Sequence, residues 1–365
     1  MEVTGKAATA GAAVDPAFWA GRRVLLTGHS GFKGAWAALW LSKMGAEVTG
    51  IALPPEGEVS LFGCLAPHLP LTSLFIDIRD AAALRSAVRA ADPEIVLHMA
   101  AQALVRRSYR EAAETFAANV TGTINLLEAM RDLPSLRAGL MITSDKVYRN
   151  DESGRAFVES DPLGGDDPYS ASKAACEIAV HSYAKSFFKD RGIPIATARA
   201  GNVIGGGDFS EDRLIPDIWR AAQKGVSVTL RYPQATRPWQ HVLESVSGYL
   251  VYLQELAGPD GDKLPTALNF GPATPENLTV GEIAGKVQAA FGITAPAGLE
   301  NTEQPPEKAH LALDAGLAAR TLGWRAAWPA ATALAQTVDW YKAFNSGDDI
   351  HALTLSQIIA YEARS

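Results

Sequence analysis

The sequence predicts an α/β protein built on a doubly wound parallel sheet, followed by a smaller C-terminal α/β lobe. Three observations carry that expectation. Short apolar runs alternate with segments of helical periodicity from Arg23 to Arg199, as in a parallel sheet with right-handed crossovers. The runs are almost continuously apolar, which suits strands covered on both faces. The first run ends in a glycine-rich turn that opens a helix, the place where a dinucleotide fold sets its phosphate turn.

Arg23–Thr27 reads as the first strand, broken by Gly28-His29-Ser30-Gly31-Phe32-Lys33-Gly34, with a helix from Ala35 to Met44. Glu47–Leu53 is the second strand and ends at Pro54-Pro55. Leu74–Asp77 is the third, followed by a helix from Ala81 to Ala91. Glu94–Met99 is the fourth, followed by one long helix from near Glu111 to Asp132. Gly139–Thr143 is the fifth, the helix carrying Tyr169 follows, and Ile195–Arg199 is the sixth. After Val203 the pattern loosens. Gly205, Gly206 and Gly207 with Pro216, Pro233 and Pro238 mark loops, and Trp324 to Tyr341 reads as a turn and a docking helix. The expected organisation is a loose tail over 1–20, a Rossmann-type dinucleotide domain over 21–203, and a mainly substrate-binding lobe over 204–365.

Composition narrows the function classes. The 365 residues are 47% hydrophobic and 20% charged, with a net charge of -7. No basic domain suggests a nucleic-acid partner. Two widely separated cysteines and seven unclustered histidines predict neither a disulfide framework nor a metal site. The N-terminal residues have no basic start and no apolar core, and no run approaches the ~20 apolar residues of a spanning helix. A cytoplasmic protein without membrane contact is expected.

Gly28, Gly31 and Gly34 allow a tight turn and close approach of a pyrophosphate to the helix N-terminus. The same glycines would also serve a plain helix entry. Thr27, Phe32 and Lys33 belong to this turn, and Lys33 adds a cation that would favour an extra phosphate, as on NADP. Asp77 and Ile78 at the third strand end, and Met99-Ala100-Ala101 at the fourth, would line the same dinucleotide site.

A second constellation carries chemistry. Thr143-Ser144-Asp145-Lys146 follows the fifth strand, and Tyr169-Ser170-Ala171-Ser172-Lys173 follows it on a helix. Tyr169 and Lys173 at this spacing share one helical face, where an ammonium lowers a phenol pKa and makes it a base. The Asp145-Lys146 pair offers a second acid/base set, which simple alcohol oxidation does not need and elimination does. Read blandly, these are a solvated charge pair and a solvated helix face. Their joint order after the glycine turn favours catalysis.

With these residues in hand, the chain resembles the extended short-chain dehydrogenase/reductase family, the NAD-dependent epimerases and dehydratases. The glycine turn, the Tyr169/Lys173 pair and Met99-Ala100-Ala101 carry that resemblance. Val105-Arg106-Arg107-Ser108-Tyr109, Thr143-Ser144-Asp145-Lys146, Asp161-Pro162-Leu163-Gly164-Gly165, Arg199 through Asp208, Asp212-Arg213-Leu214-Ile215-Pro216-Asp217 and Arg237-Pro238-Trp239-Gln240-His241-Val242 are most similar to its CDP-glucose 4,6-dehydrating subgroup. The runs cover most of residues 20–345. Val147, Ala103, the segment from Asp151 to Glu159, and Glu307-Lys308 depart from the subgroup pattern.

The resemblance implies NAD-dependent conversion of CDP-glucose to CDP-4-keto-6-deoxyglucose, a deoxysugar step in surface-polysaccharide (O-antigen) synthesis. It implies Tyr169 and Lys173 for oxidation at C4, Ser144 beside the 4-oxygen, and Asp145 as the acid that expels the 6-hydroxyl. Lys146 stands where related dehydratases carry a glutamate, and the base for C5 stays open. Lys173 would also hold the nicotinamide ribose, and Thr143 would line the cofactor. Arg213, Arg237 and Asn202 would bind the substrate diphosphate, with Arg106 and Arg107 as weaker candidates and Gln102 reaching the sugar. Asn119 reads as a helix hydrogen bond.

The residues alone leave three choices open. They do not select the nucleobase. No acid ends the second strand, so NAD and NADP are not separated there. A sugar-nucleotide 4-epimerase would need Tyr169 and Lys173 but no acid at Asp145, and a nucleotide-sensing protein would need neither. A homodimer or homotetramer through the helices near 111–132 and 168–185 is expected, although their apolar stripes would equally serve the sheet.

Overall fold

In a computed structural model, which describes residues 13–272, 278–300, 308 and 310–364, the apolar runs become seven strands of one parallel sheet. These are β1 (Arg23–Thr27), β2 (Glu47–Ala52), β3 (Thr72–Phe75), β4 (Ile95–His98), β5 (Ala138–Ile142), β6 (Ile195–Ala200) and β7 (Ala267–Phe270). Their order is β3-β2-β1-β4-β5-β6-β7, every neighbouring pair parallel. The order reverses between β1 and β4. At that switch point the C-terminal strand ends open a crevice.

Adjacent residues along a strand face opposite sides, and both sides are apolar here. Leu25, Val96 and Met141 join one core layer with Leu84, Val88, Leu126 and Leu127 from the helices Ala81–Ala91 and Gly122–Met130. Leu26, Leu97 and Leu140 join the other, with Trp36, Trp40 and Leu250 from the helices Phe32–Lys43 and Val242–Leu256.

The C-terminal half does more than follow the dinucleotide domain. It supplies β7 and the Val242–Leu256 helix that covers the sheet. Trp36 Nε1 donates to Gly206 O at 3.0 Å and Trp40 Nε1 to Glu362 Oε1 at 2.8 Å. The helix opened by the glycine turn is thereby tied to both ends of that half. Removing such a tryptophan side chain costs ~3–5 kcal/mol. Buried Glu244 accepts from the N–H groups of Ala327 and Trp328 and from the Tyr361 hydroxyl, fastening the C-terminal helix.

Three sequence expectations shift. The third strand sits at Thr72–Phe75, two residues early, because Asp77 leaves the ladder to bond Arg79. The single helix expected over 111–132 is broken. Val105–Arg110 and Ala112–Phe116 are separated at Glu111 (φ -130°, ψ 53°), and a π-turn spans Ala117–Thr121. The π-turn holds Asn119, whose Nδ2 bonds Gln102 O and Ser172 Oγ. Of the tail, residues 1–12 lie outside the described residues. Pro16–Trp19 is a helical turn capped by Asp15, and buried Trp19 donates to Gln254 Oε1 at 2.8 Å. Glu307 also lies outside the described residues, whereas Lys308 pairs with Asp166 at 2.8 Å.

Candidate active site

The glycine turn closes against the end of β4. Gly28 has φ +78°, and a Cβ there would lie 2.7 Å from Ala100 N; a Cβ on Gly34 would lie 2.0 Å from Gly28 O. Both positions exclude any side chain. Gly31 is different: its nearest protein neighbour would be 3.4 Å away, and it caps the Phe32–Lys43 helix with no side-chain bond and no acid in the first turn. Bare N–H groups and the positive end of the helix dipole therefore face the crevice. A side chain at Gly31 would intrude on that cradle, and a pyrophosphate fits it.

Thr27 does not reach the crevice as a ligand. Its Oγ1 accepts from Met99 N and Ala100 N, both at 3.1 Å, and meets His98 Nδ1 at 2.6 Å. His98 Nε2 continues to Thr123 Oγ1 at 3.0 Å, and burial pulls its pKa down to about 3. A neutral histidine thus pins the strand end to the turn. The Asp77 carboxylate is engaged by Arg79, which holds its pKa below the usual range. Ile78 packs against the Gly122 backbone, where a Cβ would meet it at 2.5 Å.

Beyond β5 the chain turns sharply through Asp145–Val147. Ser144 Oγ accepts from Lys146 N at 3.2 Å and donates to Asp145 Oδ1 at 3.0 Å. Asp145 is 1% exposed. Among the described residues its Oδ2 has no hydrogen-bond partner, and Lys146 Nζ lies 3.5 Å from Oδ1. A buried carboxylate oxygen without a donor is costly unless something is meant to meet it.

The helix Pro168–Tyr183 starts on Asp167, whose carboxylate accepts from Ser170 N, with Pro168 at its first position. Both are preferred helix-start chemistry. Tyr169 N also donates to Ser108 Oγ at 3.2 Å. Tyr169, Lys173 and Glu177 follow at successive four-residue steps on one face. Lys173 Nζ donates to Ile142 O at 3.0 Å. Glu177 accepts from Thr143 Oγ1, from Thr197 Oγ1 at 2.7 Å, and from Arg199 at 2.9 and 2.8 Å. Arg199 goes on to Tyr148 OH at 2.7 Å, and Tyr148 to Asn269 Oδ1 at 2.7 Å. This buried network ties the helix to β5, β6 and β7. The sequence reading missed Glu177, although one more helical step from Lys173 points to it.

The electrostatics correct one expectation. Burial pushes the Tyr169 phenol up to about 12, against the Ser144 hydroxyl and Arg213, which lower it. The pKa of Lys173 is itself lowered by desolvation, with Cys176 and Glu177 opposing. Lys33 is pulled down to about 7 by burial, reinforced by Arg213 and Lys173 and opposed by Asp145 and Asp208.

One cleft of about 1090 Å³ joins these groups, larger than the ~300–1,000 Å³ of a typical single-ligand pocket. Gly28, Phe32, Lys33, Asp77, Met99, Ala101, Thr143, Ser144, Asp145, Lys146, Tyr169 and Lys173 line it, and so do Arg106, Asn202, Arg213 and Arg237. Gln102 lines it too, and its side chain bonds Leu104 N and O and Thr115 Oγ1. Arg231, Tyr232 and Glu300 complete the far end and carried no motif signal. Among the described residues no group of three or more His, Cys, Asp or Glu is placed to hold a metal, and no helix is long and apolar enough to cross a membrane.

A phosphate cradle at the switch point, with a Tyr/Lys helix and a buried acid beside it, defines a class, and comparison agrees. The chain belongs to the NAD dependent epimerase/dehydratase family, whose model matches residues 24–268. It is 42% identical to the CDP-glucose 4,6-dehydratase of Salmonella typhimurium, over 95% of this chain and 98% of that one. It is 28% identical to a dTDP-glucose 4,6-dehydratase of Xanthomonas campestris, over 87% and 92%. Among solved structures it is similar to a dTDP-glucose 4,6-dehydratase of Streptomyces venezuelae with NAD bound, with TM-score 0.77, 25% identity, and coverage of 90% and 99%. A UDP-glucose-4-epimerase of Stenotrophomonas maltophila, at TM-score 0.77 and 23% identity, shares the fold.

Proposed function

We propose that this protein dehydrates CDP-glucose to CDP-4-keto-6-deoxyglucose with NAD as a recycled cofactor. The observation that carries the elimination is Asp145: a carboxyl 1% exposed, with Oδ2 unpartnered among the described residues, next to Ser144 and on the same cleft as Tyr169. The choice of CDP-glucose has its support in the 42% identity to the Salmonella enzyme over nearly the whole chain.

Bound NAD would supply the hydride acceptor for oxidation at C4 and the hydride donor for reduction at C6. The chain's own residues do the proton work. The glycine turn and Lys33 hold the pyrophosphate, while Lys173 holds the nicotinamide ribose. Tyr169 accepts the proton of the 4-hydroxyl, and Ser144 holds the 4-oxygen. The 4-ketone acidifies the C5 proton. Asp145 is the acid that gives a proton to the departing 6-hydroxyl, which leaves as water. Lys146, beside Asp145, is the candidate base that takes the C5 proton and returns it to C5 as hydride reaches C6. Arg213, Arg237, Arg106 and Asn202 bind the diphosphate. The enzyme works in the cytoplasm as a homo-oligomer.

Mass spectrometry of the protein incubated separately with CDP-, UDP-, GDP- and dTDP-glucose, with NAD supplied, tests the reading. Loss of one water from CDP-glucose alone is the expected result. An isomer of unchanged mass would replace the dehydratase with a 4-epimerase. Asp145→Asn is expected to stop elimination, lowering turnover by about 10²–10⁴-fold, while oxidation at C4 still produces an NADH absorbance.

A further inference from the structure

We propose that Asp212 is an internal stand-in for a substrate phosphate: it holds the guanidinium groups of Arg231 and Arg106, and an incoming diphosphate takes them from it. This rests on the reading of the cleft as a nucleotide-sugar site. Arg231 Nη1 lies 2.7 Å from Asp212 Oδ1, and its Nη2 donates to the Asp212 carbonyl at 3.4 Å. Arg106 Nη1 lies 3.6 Å from the same Oδ1. Two guanidinium groups on one anionic oxygen is the arrangement that phosphate oxygens invite.

The three residues arrive from separate places. Arg106 is on the helix Val105–Arg110, Asp212 on the loop before the helix Leu214–Gln223, and Arg231 just after the short strand Thr229–Leu230. All three line the cleft beside Arg213. Asp212 also has φ +58°. That left-handed conformation is costly for a residue with a side chain, although Asp and Asn tolerate it best, and strain of this kind persists where the surroundings impose it. The neighbouring acids are engaged elsewhere: Asp208 Oδ2 lies 3.9 Å from Arg213, Glu211 is 2.9 Å from Arg110, and Asp217 pairs with Arg220. Asp212 meets arginines from two separate elements, Arg106 and Arg231. The side chains of the trio are 26–33% exposed, so water reaches the pair and exchange for a more highly charged anion is cheap.

Calorimetric titration of CDP into the full-length protein tests this. Asp212→Asn keeps the shape and tolerates the backbone while removing the charge. Asp212→Gly removes the strain as well. Both are expected to tighten CDP binding by about two- to fivefold at low salt, the scale of a partly exposed ion pair, with the difference shrinking at high salt. In an Arg231→Met background, Asp212→Asn is expected to have no effect. Unchanged or weaker CDP binding in both Asp212 variants would show that Asp212 instead positions Arg231, and would overturn the proposal. So would the same tightening without Arg231. If CDP fails to bind the parent protein while UDP, GDP or dTDP binds, the substrate reading fails, and the Asp212 comparison is run with that nucleotide.

Discussion

At Lys33 a cation at the phosphate turn is more readily discharged than a free lysine. Burial, Arg213 and Lys173 lower its pKa to about 7, with Asp145 and Asp208 opposing. A pyrophosphate on the turn favours the charged form. In the free protein the proton leaves as pH rises through about 7, so NAD binding must restore it. NAD affinity is therefore expected to fall as pH rises above about 7, by at most about tenfold per pH unit. Lys33→Met should bind more weakly and show a flat profile between about pH 6 and 9. An unchanged slope in that variant, read by calorimetry, would remove Lys33 from the phosphate site. Tyr169 presents the opposite case. Burial pushes its phenol up to about 12, so it rests protonated until a nearby positive charge stabilises the phenolate. Tyr169→Phe is expected to lower kcat by about 10²–10⁴-fold with NAD binding retained; a loss under tenfold would strip it of the role of base.

At the scale of elements, the site depends on two junctions. The first is the glycine turn against β4. Gly34→Ala places a methyl group 2.0 Å from Gly28 O, and backbone cannot yield as a flexible side chain would. Loss of NAD binding is expected, together with about 1–3 kcal/mol of stability, measured by calorimetry and by urea unfolding. Normal NAD affinity would mean that the turn relaxes. The second is the Glu177–Arg199 pair, whose side chains are 4% and 5% exposed. Such a pair need not exceed a well-packed apolar substitute in stability, but halving it strands a charge. Glu177→Gln is expected to cost about 3–5 kcal/mol. A variant that unfolds like the parent would show that the Tyr148 hydroxyl and the Glu159 carbonyl suffice to hold Arg199 without it.

At the scale of the molecule, Phe116, Ile178 and Phe187 are 39%, 63% and 39% exposed, although their helices also serve the sheet. They lie on Ala112–Phe116, Pro168–Tyr183 and the π-turn that continues the latter. Covering these side chains in a homodimer would remove them from water at about 25 cal/mol per Å². Light scattering after size exclusion is expected to give a dimer or tetramer, and Ile178→Asp to shift it toward monomer. A parent protein that runs as a monomer sinks the oligomer reading.

By itself, the sequence determined the alternation of strands and helices, the turn at Gly28–Gly34, and the Ser144–Lys146 and Tyr169/Lys173 groups. Each is local: a period, a glycine where backbone must pass backbone, or a spacing of one helical step. Tertiary structure decided what those groups are. It turned Gln102 into the loop and spent Thr27 on the β4 amides. It raised the Tyr169 pKa where the helical spacing alone implied a lowered one. It also brought β7 from residue 267 into the sheet and set Arg231 against Asp212. Neither relation is written in a short run of residues. Hydrogen-bond partners, desolvation and ion pairs between distant segments exist only once burial has chosen which side chains share a space.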